Sequence, residues 1–150
     1  MTQHAILWSS TIPEPRSFLN KPLPQRTDVV VIGGGFTGTS AALQLAKGGA
    51  CVTLLEAQTI GWGASSRNGG QALSCLHHTL ADGIKEHGQE RAKDMFLAAT
   101  SAADTVEKIV KEENIDCDYA RCGNIEAAFK PSHFDALKRE QEILNQVANY

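Results

Sequence analysis

The chain has 150 residues, about one domain, with 42% apolar and 21% charged residues, as in ordinary globular proteins. A net charge of −3 without a basic stripe argues against nucleic acid as a partner, and no apolar window is long enough to span a bilayer. The amino terminus shows neither a secretory signal nor a twin-arginine pair. Cys51, Cys75, Cys117 and Cys122 form no CxxC pair, and the five histidines complete no zinc pattern. Reduced thiols, no metal and a cytoplasmic location are therefore expected.

Residues 1–26 read as an extended arm. Pro13, Pro15, Pro22 and Pro24 oppose helix there, and Trp8 and Phe18 are expected to pin the arm to the body of the protein. Residues 27–150 read as the body. Val29 to Ile32 is a continuous apolar run, as in a strand covered on both faces of a parallel sheet. It leads into Gly33-x-Gly35-x-x-Gly38, then into an alanine- and leucine-rich helix from Phe36 to Lys47, which Gly48 and Gly49 stop. A second strand, Cys51 to Leu55, ends on Glu56, with Cys51 expected to pack inside as a small hydrophobe.

This strand, turn, helix and strand predict an α/β, Rossmann-like fold. The glycines suit a tight turn, a close approach by a pyrophosphate, and close packing of helix on strand. The helix amino end offers unpaired N–H groups to an anion. Glu56 stands 21 positions beyond Gly35, where a carboxylate accepts hydrogen bonds from a ribose and repels a 2′-phosphate. FAD or NAD(H) fits such a site better than NADP(H).

Ala57 to Gly70 is long for a connection and holds Gly61, Gly63, Ser65, Ser66, Arg67, Asn68, Gly69 and Gly70. Two readings stand: a loop lining a planar or phosphorylated ligand, with Arg67 as a fixed cation, or a solvated surface loop. Gln71 to His87 reads as a loop with a short helix, and adjacent His77 and His78 are poorly placed to share a metal. Gln89 to Asn114 reads as an amphipathic helix with Met95, Ala99, Ala102, Val106, Ile109 and Val110 inward. Asn124 to Phe129 predicts a strand, after a second short one near Cys117 to Ala120. Pro131 then opens a helix to Asn149, with Phe134, Leu137, Ile143, Leu144 and Val147 as buried positions.

The motifs GGGFTG, LLEA and IGWGASSRNGGQ resemble the FAD-binding half of the D-amino-acid-oxidase-like flavoproteins, nearest to the γ-glutamylputrescine oxidoreductase group. That resemblance runs from about Thr27 to the end and implies a glutathione-reductase-type dinucleotide fold. It implies FAD-binding positions Gly33, Gly35, Phe36, Thr37, Gly38, Glu56, Ala57, Gly63, Ser65, Ser66, Arg67, Asn68, Gly69 and Gly70. Some relatives attach FAD through a histidine in this loop. Arg67 stands there instead, so non-covalent FAD is expected. Thr39 departs from the apolar residue that relatives usually carry.

The resemblance further implies oxidation of an amine or amino acid at a C–N bond, by hydride transfer to flavin with oxygen as acceptor. Family members are much longer, so the chain is expected to be the amino-terminal part of an FAD domain. The remainder of the parent chain would then be a partner, and no catalytic acid or base is assignable here. Two other classes stay open: an NAD-dependent dehydrogenase, which the 61–70 loop disfavours, and a non-catalytic nucleotide-binding fragment.

Overall fold

The computed structural model describes residues 7–12, 22–74, 76 and 78–149. It divides into two compact units, Met1–Gly70 and Gln71–Tyr150. Phe18, Cys75 and His77 lie outside the described residues.

The first unit is α/β. A single helical turn, α1 (Leu7–Ser10), is followed by β1 (Val29–Ile32), α2 (Phe36–Lys47), β2 (Val52–Leu55) and a short 3-10 turn, Ala64–Ser66. β1 and β2 run parallel, with Val29 opposite Val52 and Ile32 opposite Leu55. This is the expected parallel β–α–β unit. Its leading edge is clamped by Asp28 and Thr27. The Asp28 carboxylate accepts from Cys51 N at 2.9 Å, and Cys51 O accepts from Asp28 N at 2.9 Å and from Thr27 Oγ1 at 2.6 Å.

Glycine ends α2 as anticipated, through a specific geometry. Gly49 has φ +91, its N–H reaches Ala46 O, and Ala50 N–H reaches Leu45 O. This crossed pair satisfies the last carbonyls of the helix.

Two expectations about burial fail, for one reason. Strand parity puts Val29, Val31, Val52 and Leu54 on the face that α2 covers, where Val31 lies close to Gly38. Val30, Ile32 and Leu55 share the other face and stay exposed, Ile32 at 86%. β1 is therefore covered on one face among the described residues, not on both. Cys51 precedes β2 and follows the parity of Thr53 and Leu55, so its thiol is exposed and does not pack as a core hydrophobe.

The second unit is helical among its described residues: α3 (Leu80–His87), α4 (Gln89–Glu112) and α5 (Pro131–Ala148). Thr79 caps α3, its Oγ1 accepting from Asp82 N at 3.1 Å and donating to Asp82 Oδ2 at 2.8 Å. A second carboxylate serves the same end, since Glu140 of α5 accepts from Leu80 N at 2.6 Å. The core joins Leu80, Ala92 and Phe96, with Leu76, Ile84, Ile143, Leu144, Val147 and Ala148 packed around it.

The inward stripe of α4 differs from expectation. Ala92 and Phe96 form it, because α3 and α5 meet the amino-terminal turns of α4. Ile109 and Val110 are half-buried, whereas Met95, Ala102 and Val106 face solvent. Asn114, at φ +50, closes α4 as expected, with Ile115 N–H reaching Val110 O. Arg121 clasps Asp104 at 2.7 Å and Glu107 at 2.6 Å, tying the following segment to α4.

Neither expected strand after α4 forms. Residues 118–128 have no ladder, and Ile125 is 93% exposed. Strand-forming residues need a neighbouring strand to satisfy their backbone groups, and none pairs with this segment among the described residues. Pro131 opens α5 as anticipated, but Phe134 is 64% exposed instead of buried.

Candidate functional site

The site belongs to the first unit and is built from backbone. β1 delivers Gly33, whose N–H reaches Leu55 O at 2.8 Å, and the chain then turns sharply into α2. The close packing at the turn is set by Gly38. A β-carbon there would lie 1.9 Å from Gly33 O, so only glycine lets the helix approach the strand this closely.

Gly34 lies at the centre of the turn and is buried. Its N–H donates to Glu56 Oε2 at 2.7 Å, and its carbonyl accepts from Gly61 N at 2.9 Å. A side chain at residue 34 would meet Ile60 at 2.6 Å. Glu56 also accepts from Gln58 N at 2.9 Å through Oε1. The Gly34 and Gln58 N–H groups, with a smaller contribution from Ala57, hold its carboxyl below the usual glutamate value, outweighing partial desolvation. Glu56 is thus an ionised brace at the tip of β2. The carboxylate keeps lone-pair capacity for a further donor.

The 3-10 turn closes the site from the other side. Ser65 Oγ accepts from Phe36 N at 2.9 Å, capping the first N–H of α2. Thr39 N–H already reaches Gly35 O at 2.9 Å. Among the described residues, the N–H groups of Thr37 and Gly38 have no protein acceptor. Both residues line an open groove of about 380 Å³, together with Ile32, Gly33, Gly35, Phe36, Ala64 and Ser65. Open N–H groups at a helix amino end, on a concave surface, are an anion-binding arrangement.

Of the positions singled out in sequence, the groove gathers Gly33, Gly35, Phe36, Thr37, Gly38 and Ser65. Glu56 lies behind the turn and holds it through Gly34. Ala57, Gly63, Ser66, Arg67, Asn68, Gly69 and Gly70 do not line it. Gly63 precedes the 3-10 turn, and the Ser66 hydroxyl bonds Gly61 O. Arg67 stacks over the Trp62 ring at 4.6 Å, a cation–π contact that fixes its guanidinium outside the groove. Asn68 donates to Ser65 O at 2.9 Å and accepts from Gly70 N at 2.9 Å, knitting the loop to itself.

Ile32, Gly34, Ile60 and Ala64 join the site only through the fold. The uninterrupted Gly33-Gly34-Gly35 run is the signal for Gly34, a fourth glycine at a position where the motif does not require one. Among the described residues no cluster of His, Cys, Asp or Glu able to hold a metal ion occurs, and His78 is exposed.

Residues 28–149 match the family described as FAD dependent oxidoreductase. The chain belongs to that family. Gamma-glutamylputrescine oxidoreductase of Escherichia coli is 35% identical over 122 residues, covering 81% of this chain and 28% of that protein. A probable oxidoreductase OrdL of Haemophilus influenzae is 36% identical over 108 residues, 71% of this chain and 25% of its own length. A second OrdL, from Rhizobium meliloti, is 40% identical over 113 residues, 75% and 26% respectively. The chain thus spans about a quarter of the length of these relatives. No solved structure matches it. FAD is the cofactor of the family, and the backbone donors, the glycine turn and the Glu56 carboxylate are chemically suited to a dinucleotide. No helix among the described residues is long and apolar enough to cross a membrane.

Proposed function

We propose that the Gly33–Gly70 region binds FAD non-covalently and serves an oxidoreductase that oxidises a C–N bond of an amine or amino acid, with oxygen as electron acceptor. The observation that carries the cofactor part is the pair of N–H groups without a protein acceptor, on Thr37 and Gly38, two residues that line the groove with Ser65. In this reading they receive the pyrophosphate. Glu56 receives the adenosine ribose hydroxyls while Gly34 and Gln58 keep it ionised. Phe36, Ala57, Gly63, Ser66, Arg67, Asn68, Gly69 and Gly70 complete the cofactor contacts, the last six as a preshaped loop. Bound there, FAD supplies the two-electron acceptor for the substrate.

The residues of this chain bind and orient, and none of them is assigned as acid or base. A γ-glutamyl amine such as γ-glutamylputrescine is the candidate substrate, supported by the similarity to the Escherichia coli enzyme of that name. A cytoplasmic setting fits the free thiols Cys51, Cys117 and Cys122. Residues 1–26 act as an arm of the FAD domain in this reading.

The test is an absorption spectrum after incubation with FAD and desalting. Retained flavin bands that are released by acid precipitation support a non-covalent site. A colourless chain that instead binds NADH refutes the FAD assignment. Bleaching of the flavin by γ-glutamylputrescine, but not by simple diamines, supports the substrate class.

A further inference from the structure

We propose that Trp8 is a positioning residue that latches the Gly61–Gly70 loop in the shape that receives the cofactor; this rests on the FAD reading of that loop. α1 packs against the 3-10 turn Ala64–Ser66. The Trp8 indole Nε1–H donates to the Asn68 carbonyl at 2.8 Å. The six-membered edge of the ring fills the space over Gly70, where a β-carbon would sit 2.7 Å from Cζ2 and 2.9 Å from Cη2. Gly70 also has φ +71, so glycine is required there twice over.

Asn68 transmits the grip. Its amide nitrogen donates to Ala64 O at 3.3 Å and Ser65 O at 2.9 Å, and its amide oxygen accepts from Gly70 N. Trp8 therefore holds the backbone on both sides of Gly69. Through Asn68 that hold reaches Ala64 and Ser65, which line the groove. Burial alone does not account for the arrangement, because Trp8 as a residue stays 37% exposed. What the ring gains is directional: its N–H and one edge meet two positions of a single loop, 60 and 62 residues away in sequence. An anchor of this kind shapes a loop before the ligand arrives, so less ordering is needed on binding.

The test uses the full chain with Trp8→Ala and Trp8→Phe, and with Gly70→Ala in both the native and Trp8→Ala backgrounds. Amide hydrogen exchange over residues 61–70 is read in the FAD-free protein, and the FAD dissociation constant by flavin fluorescence. Loss of the indole hydrogen bond and edge contact is expected to speed exchange in residues 61–70 about tenfold and weaken FAD by a similar factor, with α4 unaffected. Trp8→Phe keeps a ring without the donor and falls between. Gly70→Ala harms the native chain more than the Trp8→Ala chain, because the clash with the indole is gone. Unchanged exchange in Trp8→Ala, or equal effects of Gly70→Ala in the two backgrounds, overturns the latch. A native chain that binds no FAD refutes the cofactor reading alone. The exchange data then still decide the latch, loosening in Trp8→Ala supporting it and no change overturning it.

Discussion

Replacing Gly38 with alanine adds one carbon at the tightest point of the first unit. That carbon would sit 1.9 Å from Gly33 O and 3.0 Å from Gly33 C, both backbone atoms at the exit of β1. No rotamer change relieves it. α2 must move away from β1 by about 1 Å or more to reach ordinary contact, since carbon–oxygen pairs prefer well over 3 Å. The move opens the packing of Val31, which lies 3.4 Å from the same point. It also drags the Thr37 and Gly38 N–H groups away from the groove. Overpacking against fixed atoms costs about 3 kcal/mol or more, a large share of the 5–15 kcal/mol (roughly) that holds a small domain together. With a urea slope of about 1–3 kcal/mol per M, the unfolding midpoint of this unit should fall by at least about 1 M. Gly69→Ala is the control, because nothing lies within 4 Å of its β-position and its φ is not positive. That variant should stay within about 0.5 kcal/mol of the native chain. Equal urea midpoints for Gly38→Ala and Gly69→Ala, followed by tryptophan fluorescence, would refute the close-approach account of the turn.

Glu56→Ala should lower the stability of the first unit, because it leaves the buried Gly34 N–H without its acceptor; chemical denaturation at neutral pH measures this. The Glu56 carboxyl is held below its ordinary value of 4.5 in the folded chain, chiefly by the Gly34 N–H. Its stabilising contribution is therefore complete above that value and lost as pH falls through the lower folded one. A Glu56→Gln chain should show a flatter acid limb in stability against pH, and an unaltered limb would exclude this carboxyl as its source. In the second unit, Phe96→Ala empties the centre of the core and should cost about 3 kcal/mol or more by thermal melting. Glu140→Ala removes an acceptor from the start of α3 and should cost about 1 kcal/mol, seen as faster hydrogen exchange at Leu80 and Ala81.

Features that depend on neighbours in sequence were legible without coordinates. The bounds of α2 follow from Gly35 before it and from Gly48 and Gly49 after it, and Asn114 closes α4 by taking a left-handed conformation. Pro131 opens α5 because its missing N–H is not needed there. Features that depend on what lies opposite were not legible. Val30 and Ile32 are as apolar as Val29 and Val31, and only the position of α2 separates the covered pair from the open one. Ile125 and Phe129 belong to a run of strand-forming residues, yet a strand exists only where a partner satisfies its backbone. In α4 the periodicity of apolar residues was correct, but which stripe faces inward is fixed by where α3 and α5 touch it, at Ala92 and Phe96.

The candidate site divides along the same line, and the division explains how it can be ready before any ligand arrives. The glycine spacing and the distal acid are local and were readable. The bonds that make them a site are not: Glu56 to Gly34, Gly61 to Gly34 O and Ser65 to Phe36 each join positions more than twenty residues apart. Each of those bonds also consumes a donor or acceptor that would otherwise be open to a dinucleotide. Ser65 takes the first N–H of α2, and Gly34 and Gln58 take one lone pair from each oxygen of Glu56. What remains for a ligand is the small set the bracing leaves over: the Thr37 and Gly38 N–H groups, the Ser65 hydroxyl hydrogen and the spare lone pairs of Glu56. A site whose remaining donors are already fixed by its own bonds loses little entropy on binding and gains directional contacts at once. It follows that Ser65→Ala should act in two opposed ways. It frees the Phe36 N–H for an anion, and it unties the 3-10 turn from α2. Free inorganic pyrophosphate, which needs only the helix end, should bind the Ser65→Ala chain at least as tightly as the native one. FAD, which also needs the loop in this reading, should bind it about fivefold to tenfold more weakly, the worth of one lost hydrogen bond. Calorimetric titration with each ligand separates the two effects, and parallel weakening of both would show that Ser65 binds the anion directly instead of bracing the turn.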